Sequence, residues 1–200
     1  MKSKPLTKKI LSGKYKGTTL KLPSKTSTRS SKAIVLESFF NTIQFEIVEA
    51  NFVEVFAGSG SIGLEALSRG ASKIYFMEKD RDALKVLKEN ISKTDRAKCE
   101  VFAGDSFVNI KEVIKRIKSK NEEAYFYIDP PFSIREGMED IYDKMLLLIS
   151  SLPQEIVKLI IIEHMTGLEL PQTLGVYKLK KSKKFGNTTL TYFDTIDNME

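Results

Sequence analysis

The stretch Glu54-Val55-Phe56-Ala57-Gly58-Ser59-Gly60-Ser61-Ile62-Gly63 limits what this chain can become more than any other. A short apolar run, Phe52–Phe56, feeds a turn of small residues. A helical pattern opens directly after it, over Ser61–Arg69, and stops at Gly70. The same alternation then repeats. Strand patterns cover Lys73–Met77, Cys99–Phe102, Tyr125–Ile128 and Leu159–Glu163. Helical patterns cover Asp80–Ile91, Phe107–Ile117 and Asp140–Leu152. Alternation of this kind predicts an α/β protein built on a parallel sheet. At the C-terminus the rhythm changes. Val176–Leu179 and Thr188–Phe193 flank Phe185-Gly186-Asn187 with no helix between them, which predicts an antiparallel hairpin.

The glycine turn has a chemical reading and a bland one. Small residues let a ligand approach the backbone, and a helix start offers free N–H groups. Glu78 ends the next strand, 18 residues after Gly60, where it can accept hydrogen bonds from both ribose hydroxyls of an adenosine. The bland reading is a tight turn that needs glycine for packing. A dinucleotide is disfavoured because the chain has no second nucleotide-binding half. GxxxxGK[ST] is absent, which argues against nucleoside triphosphate hydrolysis, and Ser59 and Ser61 do not form GxSxG.

Asp129-Pro130-Pro131-Phe132 ends the fourth strand of the alternating region. In such sheets the C-terminal strand ends line the ligand crevice. Two prolines stiffen the backbone and remove two N–H donors. A carboxylate among donor-free carbonyls accepts but does not donate, which suits an exocyclic amine. The ring of Phe132 can stack on a planar base, a contact typically worth ~1–3 kcal/mol. The alternative is a proline-rich loop with a buried phenylalanine.

Charge is distributed unevenly. Residues 1–32 hold ten basic side chains and no acid, and five lysines lie between Glu169 and Asp194, again without an acid. The rest of the chain carries 17 basic against 26 acidic residues. Cations confined to the two ends suit a polyanionic partner; a solvated basic tail is the plain alternative. Residues 10–22 favour the first reading, because Ile10, Leu11, Tyr15, Leu20 and Leu22, punctuated by Gly13 and Gly17, read as a hairpin. Ser24–Lys32 reads as a linker, and a helix is expected over Ser31–Ile43. At 42% hydrophobic and 29% charged, the composition excludes collagen-like and wholly disordered classes. No apolar run reaches the ~18 residues of a membrane span, and no secretory signal is visible. One cysteine and one histidine exclude an internal disulfide and argue against a His/Cys zinc site, so no metal is expected. A reducing cytoplasm is the expected compartment. Cys99 reads as a small core residue, and His164 as a structural or substrate-edge residue rather than a catalytic one.

Phe56-Ala57-Gly58-Ser59-Gly60 together with Asp129-Pro130-Pro131-Phe132 resembles the class I S-adenosylmethionine-dependent amino methyltransferases. The order is most similar to the bacterial 16S rRNA guanine-N2 methyltransferases of the guanine-966 type, over nearly the whole chain. Lys9-Ile10-Leu11-Ser12-Gly13-Lys14-Tyr15-Lys16-Gly17 resembles that family's opening hairpin, and Glu37-Ser38-Phe39-Phe40-Asn41 its early helix. Gly63–Ala71 is similar to its helix after the glycine turn, and Phe185-Gly186-Asn187-Thr188 to its late turn. One stretch departs. Where the family has R-P-T-x-D-x-V-R-E, residues 29–37 keep Arg29, Val35 and Glu37 but not the Pro, the Asp or the later Arg. That segment helps form the family's cofactor lid, so lid geometry can differ here.

The resemblance implies a Rossmann-like fold with a mostly parallel seven-stranded sheet and an antiparallel C-terminal hairpin. It also implies an N-terminal extension over residues 1–45 and a methyltransferase domain over 46–200. It implies S-adenosylmethionine as cofactor, with S-adenosylhomocysteine as product. Glu54, Phe56, Ala57, Gly58, Ser59, Gly60, Glu78, Lys79, Asp105 and Ser106 would hold it. Asp105 reads equally well as a helix N-cap. Asp129, Pro130, Pro131 and Phe132 would receive the amine. Lys9, Lys14, Lys16, Arg29, Lys183 and Lys184 would contact 16S rRNA, within an assembling or assembled small ribosomal subunit, with the protein acting as a monomer. A DNA adenine-N6 methyltransferase and a non-catalytic RNA-binding assembly factor are the competing readings.

Overall fold

The computed structural model describes residues 6–23, 33–131 and 140–196. The expected linker Ser24–Lys32 and the candidate residues Arg29 and Phe132 lie outside them. The chain forms two compact units, Met1–Asn109 and Ile110–Glu200.

The first unit opens with a hairpin of two three-residue strands, β1 (Thr7–Lys9) and β2 (Thr19–Lys21), paired antiparallel. The first strand lies ahead of the expected span of residues 10–22. Ile10 still bonds across the hairpin, its N–H to the Thr18 carbonyl at 3.1 Å and its carbonyl from Gly17 N–H at 2.9 Å, whereas the Leu11 N–H turns to a side chain of a later helix. Next come α1 (Ala33–Thr42), β3 (Asn51–Glu54), α2 (Ser61–Ser68), β4 (Lys73–Glu78), α3 (Arg81–Ile91) and β5 (Cys99–Ala103). α4 (Ser106–Lys118) leads out of the unit. The three strands run parallel in the order β5-β4-β3, with Phe52 opposite Ile74 and Ile74 opposite Cys99.

Phe39, Phe40 and Phe52 form an aromatic cluster inside this unit, with centroids 4.6 to 6.3 Å apart. α2 lies on β3 and β4. The approach is close enough that a Cβ on Gly63 would sit 2.5 Å from the Phe76 ring, so glycine here serves helix–strand packing. α3 starts at Asp80, whose side chain accepts from the Ala83 N–H at 2.9 Å. Its buried face carries Ala83, Leu87, Ile91 and, against the apolar pattern, Asn90.

The second unit holds β6 (Ala124–Ile128), α5 (Ile141–Ser150), β7 (Val157–Met165), β8 (Thr173–Leu174), β9 (Tyr177–Phe185) and β10 (Thr188–Thr195). β6 and β7 pair in parallel, and β10, β9 and β8 then add antiparallel. Parallel strands followed by an antiparallel C-terminal hairpin agree with the expected class. The strand number does not. Among the described residues eight strands follow the N-terminal hairpin, not seven. The extra one, β8, is two residues long and has no apolar run to announce it. β9 is also longer than expected and contains all five late lysines. Lysine is a poor strand former, but the buried β10 supplies a full ladder for it.

Candidate functional site

Gly58 and Gly60 both adopt left-handed backbone, with φ of 53° and 75°, which a residue with a Cβ rarely tolerates. The turn closes through Gly60 N–H to the Ala57 carbonyl at 2.7 Å and Ala57 N–H to the Met77 carbonyl at 2.9 Å. Two carboxylates brace it, Glu78 at Gly58 and Glu54 at Gly63. Glu54 is buried and accepts from the Gly63 N–H at 2.9 Å. Burial pushes its carboxyl up to about 8, against the N–H groups of Gly63 and Ile62, which favour the charged form. Glu54 therefore satisfies the start of α2 from inside the core.

Glu78 is half-buried and does three things at once. Its Oε2 accepts from Gly58 N–H at 2.7 Å, and its Oε1 accepts from Lys79 and Asp80 N–H at 2.9 and 2.8 Å. A carboxylate offers about four lone-pair sites, so capacity for a further donor remains on Oε2. Asp105 is exposed, and its Oδ1 caps α4 by accepting from Phe107 N–H at 2.8 Å. Its second oxygen can take another donor, so the cap and ligand readings coexist. Ser106 is buried and donates to the Val55 carbonyl at 2.5 Å, which ties the start of α4 to the end of β3. Phe56 and Phe107, both half-buried, meet edge to face with centroids 5.8 Å apart. Ala57 and Ser59 are buried, and the Lys79 side chain is exposed. Acceptors at Glu78 and Asp105, beside two aromatic rings and a glycine turn, suit a nucleoside with a hydroxyl pair and an amino group.

In the second unit, β6 is buried throughout and ends at Ile128. Asp129 follows, half-buried, then buried Pro130 and half-buried Pro131. Neither proline can donate, so the strand end is rich in acceptors. The Tyr142 phenol is pushed above its ordinary range, first by burial and then by the negative charge of Asp129. Beneath this strand end, Tyr127 donates to Glu163 Oε2 at 2.5 Å.

The basic residues divide by partner. Lys9, Lys14 and Lys16 are exposed on the N-terminal hairpin, and Lys183 and Lys184 on β9. Among the described residues none of the five pairs with a carboxylate; Lys14 lies 5.3 Å from the Tyr15 ring centroid. Lys180 is different. It is the extra residue of a bulge opposite Tyr192 and Phe193, and it pairs with buried Asp194 at 2.6 Å. His164 is buried on β7. Its Nδ1 faces the Met165 carbonyl at 2.9 Å, which fixes the proton there, so Nε2 accepts from Thr191 at 2.8 Å. Burial lowers its basicity, and the arrangement is structural. Cys99 opens β5 half-buried, and burial pushes its thiol up to about 12, far from a reactive thiolate.

Sequence reasoning missed the residues that tie the hairpin to this turn. Glu65, buried in α2, accepts from Leu11 N–H at 2.7 Å and Ser12 N–H at 3.1 Å and pairs with Arg69 at 2.8 Å. Ser68 accepts from Tyr15 N–H at 2.9 Å and donates to the Ser12 carbonyl at 2.5 Å. Asn90, fully buried in α3, accepts from Lys21 N–H at 2.8 Å and donates to the Lys21 and Ser59 carbonyls, each at 2.9 Å. The signal available was polarity on an apolar face: Asn90 sits one turn from Leu87, and Glu65 sits among Ile62, Leu64, Ala66 and Leu67.

Among the described residues, no helix is long and apolar enough to cross a membrane, and no acid, histidine or cysteine cluster could hold a metal ion. Residues 8–194 match the family described as conserved hypothetical protein 95. A Bacillus subtilis protein provisionally named as an rRNA methyltransferase, YlbH, is 30% identical over 189 residues, covering 92% of this chain and 97% of that one. The Escherichia coli ribosomal RNA small subunit methyltransferase D is 31% identical over 130 residues, covering 65% of this chain and 62% of the relative. A solved Haemophilus influenzae structure, provisionally described as a methylase, superposes with a TM-score of 0.69 at 26% identity, covering 95% of this chain and 99% of that one. An Escherichia coli structure, provisionally described as a methyltransferase, gives 0.74 at 23% identity over 95% and 98%. The chain belongs to the conserved hypothetical protein 95 family, and its fold is that of the class I methyltransferases.

Proposed function

We propose that this protein transfers a methyl group from S-adenosylmethionine to the exocyclic N2 of one guanine in 16S rRNA of the small ribosomal subunit, a reaction of the guanine-966 type. Relatives named as small-subunit rRNA methyltransferases supply the substrate class. The observation that carries the chemistry is the donor-free strand end, where the Asp129 carboxylate is followed by two prolines. An exocyclic amine brings two N–H groups and a lone pair delocalised into its ring. The Asp129 carboxylate and Pro130 carbonyl accept those two hydrogens and hold the amine so that its lone pair is drawn out of conjugation with the ring and localised toward the methyl group. When bound, S-adenosylmethionine supplies an electrophilic methyl carbon. No strong base is required, because the methylated cationic amine releases its proton readily. Rate gain then comes from orientation and fixed dipoles.

The remaining residues bind. Glu78 takes a ribose hydroxyl on the open side of Oε2, Asp105 takes the adenine amino group, and Phe56 and Phe107 flank the base. Lys9, Lys14, Lys16, Lys183 and Lys184 neutralise RNA phosphates. The target guanine is unstacked to reach the amine acceptors, and one copy of the chain suffices.

The test is transfer of labelled methyl from S-adenosylmethionine to naked 16S rRNA and to small-subunit particles, followed by nucleoside analysis. N2-methylguanosine at one site is the expected product. Asp129→Ala is expected to lose about a hundredfold or more in turnover, comparable with removing one catalytic hydrogen-bonding group, while S-adenosylhomocysteine still binds. N6-methyladenine in DNA with no label in rRNA would replace this reading with the adenine enzyme, because the same acceptors suit that amine. Absence of both cofactor binding and transfer would leave an RNA-binding assembly factor.

A further inference from the structure

The N-terminal hairpin is too small to hold itself. Two three-residue strands form a marginal structure in water, and its shape depends on what it docks against. On one side that support is α2, through Glu65 and Ser68. On the other it is α3, through the fully buried Asn90 side chain and the ion pair of Glu89 with Lys21 at 2.5 Å. The Asn90 amide pairs with both the N–H and the carbonyl of Lys21, as a neighbouring strand would. Its remaining hydrogen goes to the carbonyl of Ser59, inside the glycine turn. Lys93, one turn further along α3, donates to the Thr19 carbonyl at 2.8 Å and lies 3.5 Å from Asn90 Oδ1. The Asn90 side chain is thus fully used, and exchanging its oxygen and nitrogen would break each of the hydrogen bonds with Lys21 and Ser59. The second strand of the hairpin and the middle of the turn share one rigid amide.

We propose that Asn90 is a positioning residue that couples the two elements, so that RNA on the hairpin tightens cofactor binding at the turn and the cofactor tightens RNA binding. This rests on the reading above that the hairpin meets RNA and the turn holds the cofactor. Each ligand needs its own element ordered, and Asn90 makes the ordering common. The first ligand to bind therefore spares the second part of that cost, and linkage makes the effect reciprocal.

The experiment uses the full chain, S-adenosylhomocysteine and naked 16S rRNA. Cofactor affinity is measured with and without saturating RNA, and the ratio is the readout, since a purely structural role would weaken either affinity without moving it. The wild type is expected to bind S-adenosylhomocysteine at least fivefold more tightly with RNA present. In Asn90→Ala the ratio is expected to fall to about one while both ligands still bind. Asn90→Asp is the second variant. It keeps an acceptor for the Lys21 N–H and loses both donors, to the Lys21 and Ser59 carbonyls, so the ratio should again fall to about one. Amide exchange of the wild type needs no variant: S-adenosylhomocysteine alone should slow exchange at Lys21. A wild-type ratio of one with both ligands bound, or no change at Lys21, overturns the coupling and leaves the proposed reaction standing. A fivefold ratio that survives in Asn90→Asp overturns the role of Asn90. Failure of the wild type to bind S-adenosylhomocysteine overturns the reaction itself, and the coupling with it.

Discussion

The N-terminal and C-terminal hairpins both carry exposed lysines, yet they hold their shape by opposite means. β1 and β2 are three residues each, and between them the N–H groups of Leu11, Ser12, Lys14 and Tyr15 go to Glu65 and Ser68 of α2, while those of Lys16, Gly17 and Thr18 close on the hairpin's own carbonyls. β9 and β10 are nine and eight residues long and pair from Thr188–Phe185 to Thr195–Tyr177, and β10 pairs again with β7. The first hairpin is fixed by side chains from helices distant in sequence, the second by its backbone. Single side-chain changes should therefore dismantle the first and spare the second. The lysines of β9 also guard an edge. Beyond the short pairing of Tyr177 and Lys178 with β8, no further strand joins β9 among the described residues, and lysine blunts such edges.

The largest expected effect lies at Glu65. Glu65→Ala leaves two backbone N–H groups and Arg69 without their shared acceptor. Removing one partner of a buried pair typically costs about 3–5 kcal/mol. Urea unfolding should show a loss in that range, and a loss under about 1 kcal/mol would mean that the hairpin does not need α2.

Two glycines sharpen the contrast. Gly13 and Gly186 both have left-handed backbone, with φ of 82° and 64°. A Cβ at Gly13 would overlap the Ser68 carbonyl, a backbone atom that cannot step aside, whereas a Cβ at Gly186 would meet nothing within 4 Å. Gly13→Ala should cost about 3 kcal/mol from overlap and strain together. Gly186→Ala should cost about 1 kcal/mol from strain alone. Equal midpoints in denaturant for the two variants would break the comparison.

Replacing Lys183 and Lys184 together by Ala should act on binding and leave folding alone. Each lysine that no longer neutralises a phosphate is expected to lower the slope of log affinity against log salt by about 0.7–0.9, so the pair should lower it by about 1.5. Stability should move by less than about 0.5 kcal/mol, because β9 is held by its ladder. An unchanged salt slope would make these lysines edge guards only.

The same contrast explains what could be read from the sequence. The glycine turn, its helices and the Asp129 strand end were legible because each is local: small residues, periodic apolar positions and prolines announce themselves within ten residues. The hairpin's anchorage was not. Glu65 and Arg69 are four apart on a helix and look like a surface pair, while the N–H groups that bury Glu65 lie 53 and 54 residues away. Asn90 serves Lys21 across 69 residues and Ser59 across 31. β9 was half legible. Its lysines gave no strand signal, and only the β10 pattern, read together with its partner, extends the strand to Phe185. Phe56 and Val55 looked like strand residues, but β3 ends at Glu54 because the chain must turn for Gly58.

His164 tests the smallest part of the comparison, since it belongs to a polar side-chain link across the strands that hold the C-terminal hairpin. Ser182 on β9 meets Thr191 on β10 at 2.9 Å, and Thr191 donates to His164 on β7. Burial lowers the imidazole's proton affinity in the folded chain. In the unfolded chain it titrates near its ordinary 6.5. Below that pH the unfolded state binds a proton that the folded state refuses, so stability falls as pH drops from about 6.5 toward the folded value; above 6.5 the group adds no slope. One such group contributes at most about 1.4 kcal/mol per pH unit. His164→Gln removes that slope, so the stability advantage of the wild type at pH 7.5 should shrink by pH 5. The hairpin should stay folded in both, because the ladder and not the imidazole holds it. A constant difference across that range would mean that His164 takes up its proton without leaving Thr191. Loss of the hairpin's amide protection in His164→Gln at pH 7.5 would mean that the long hairpin, like the short one, depends on a single side chain.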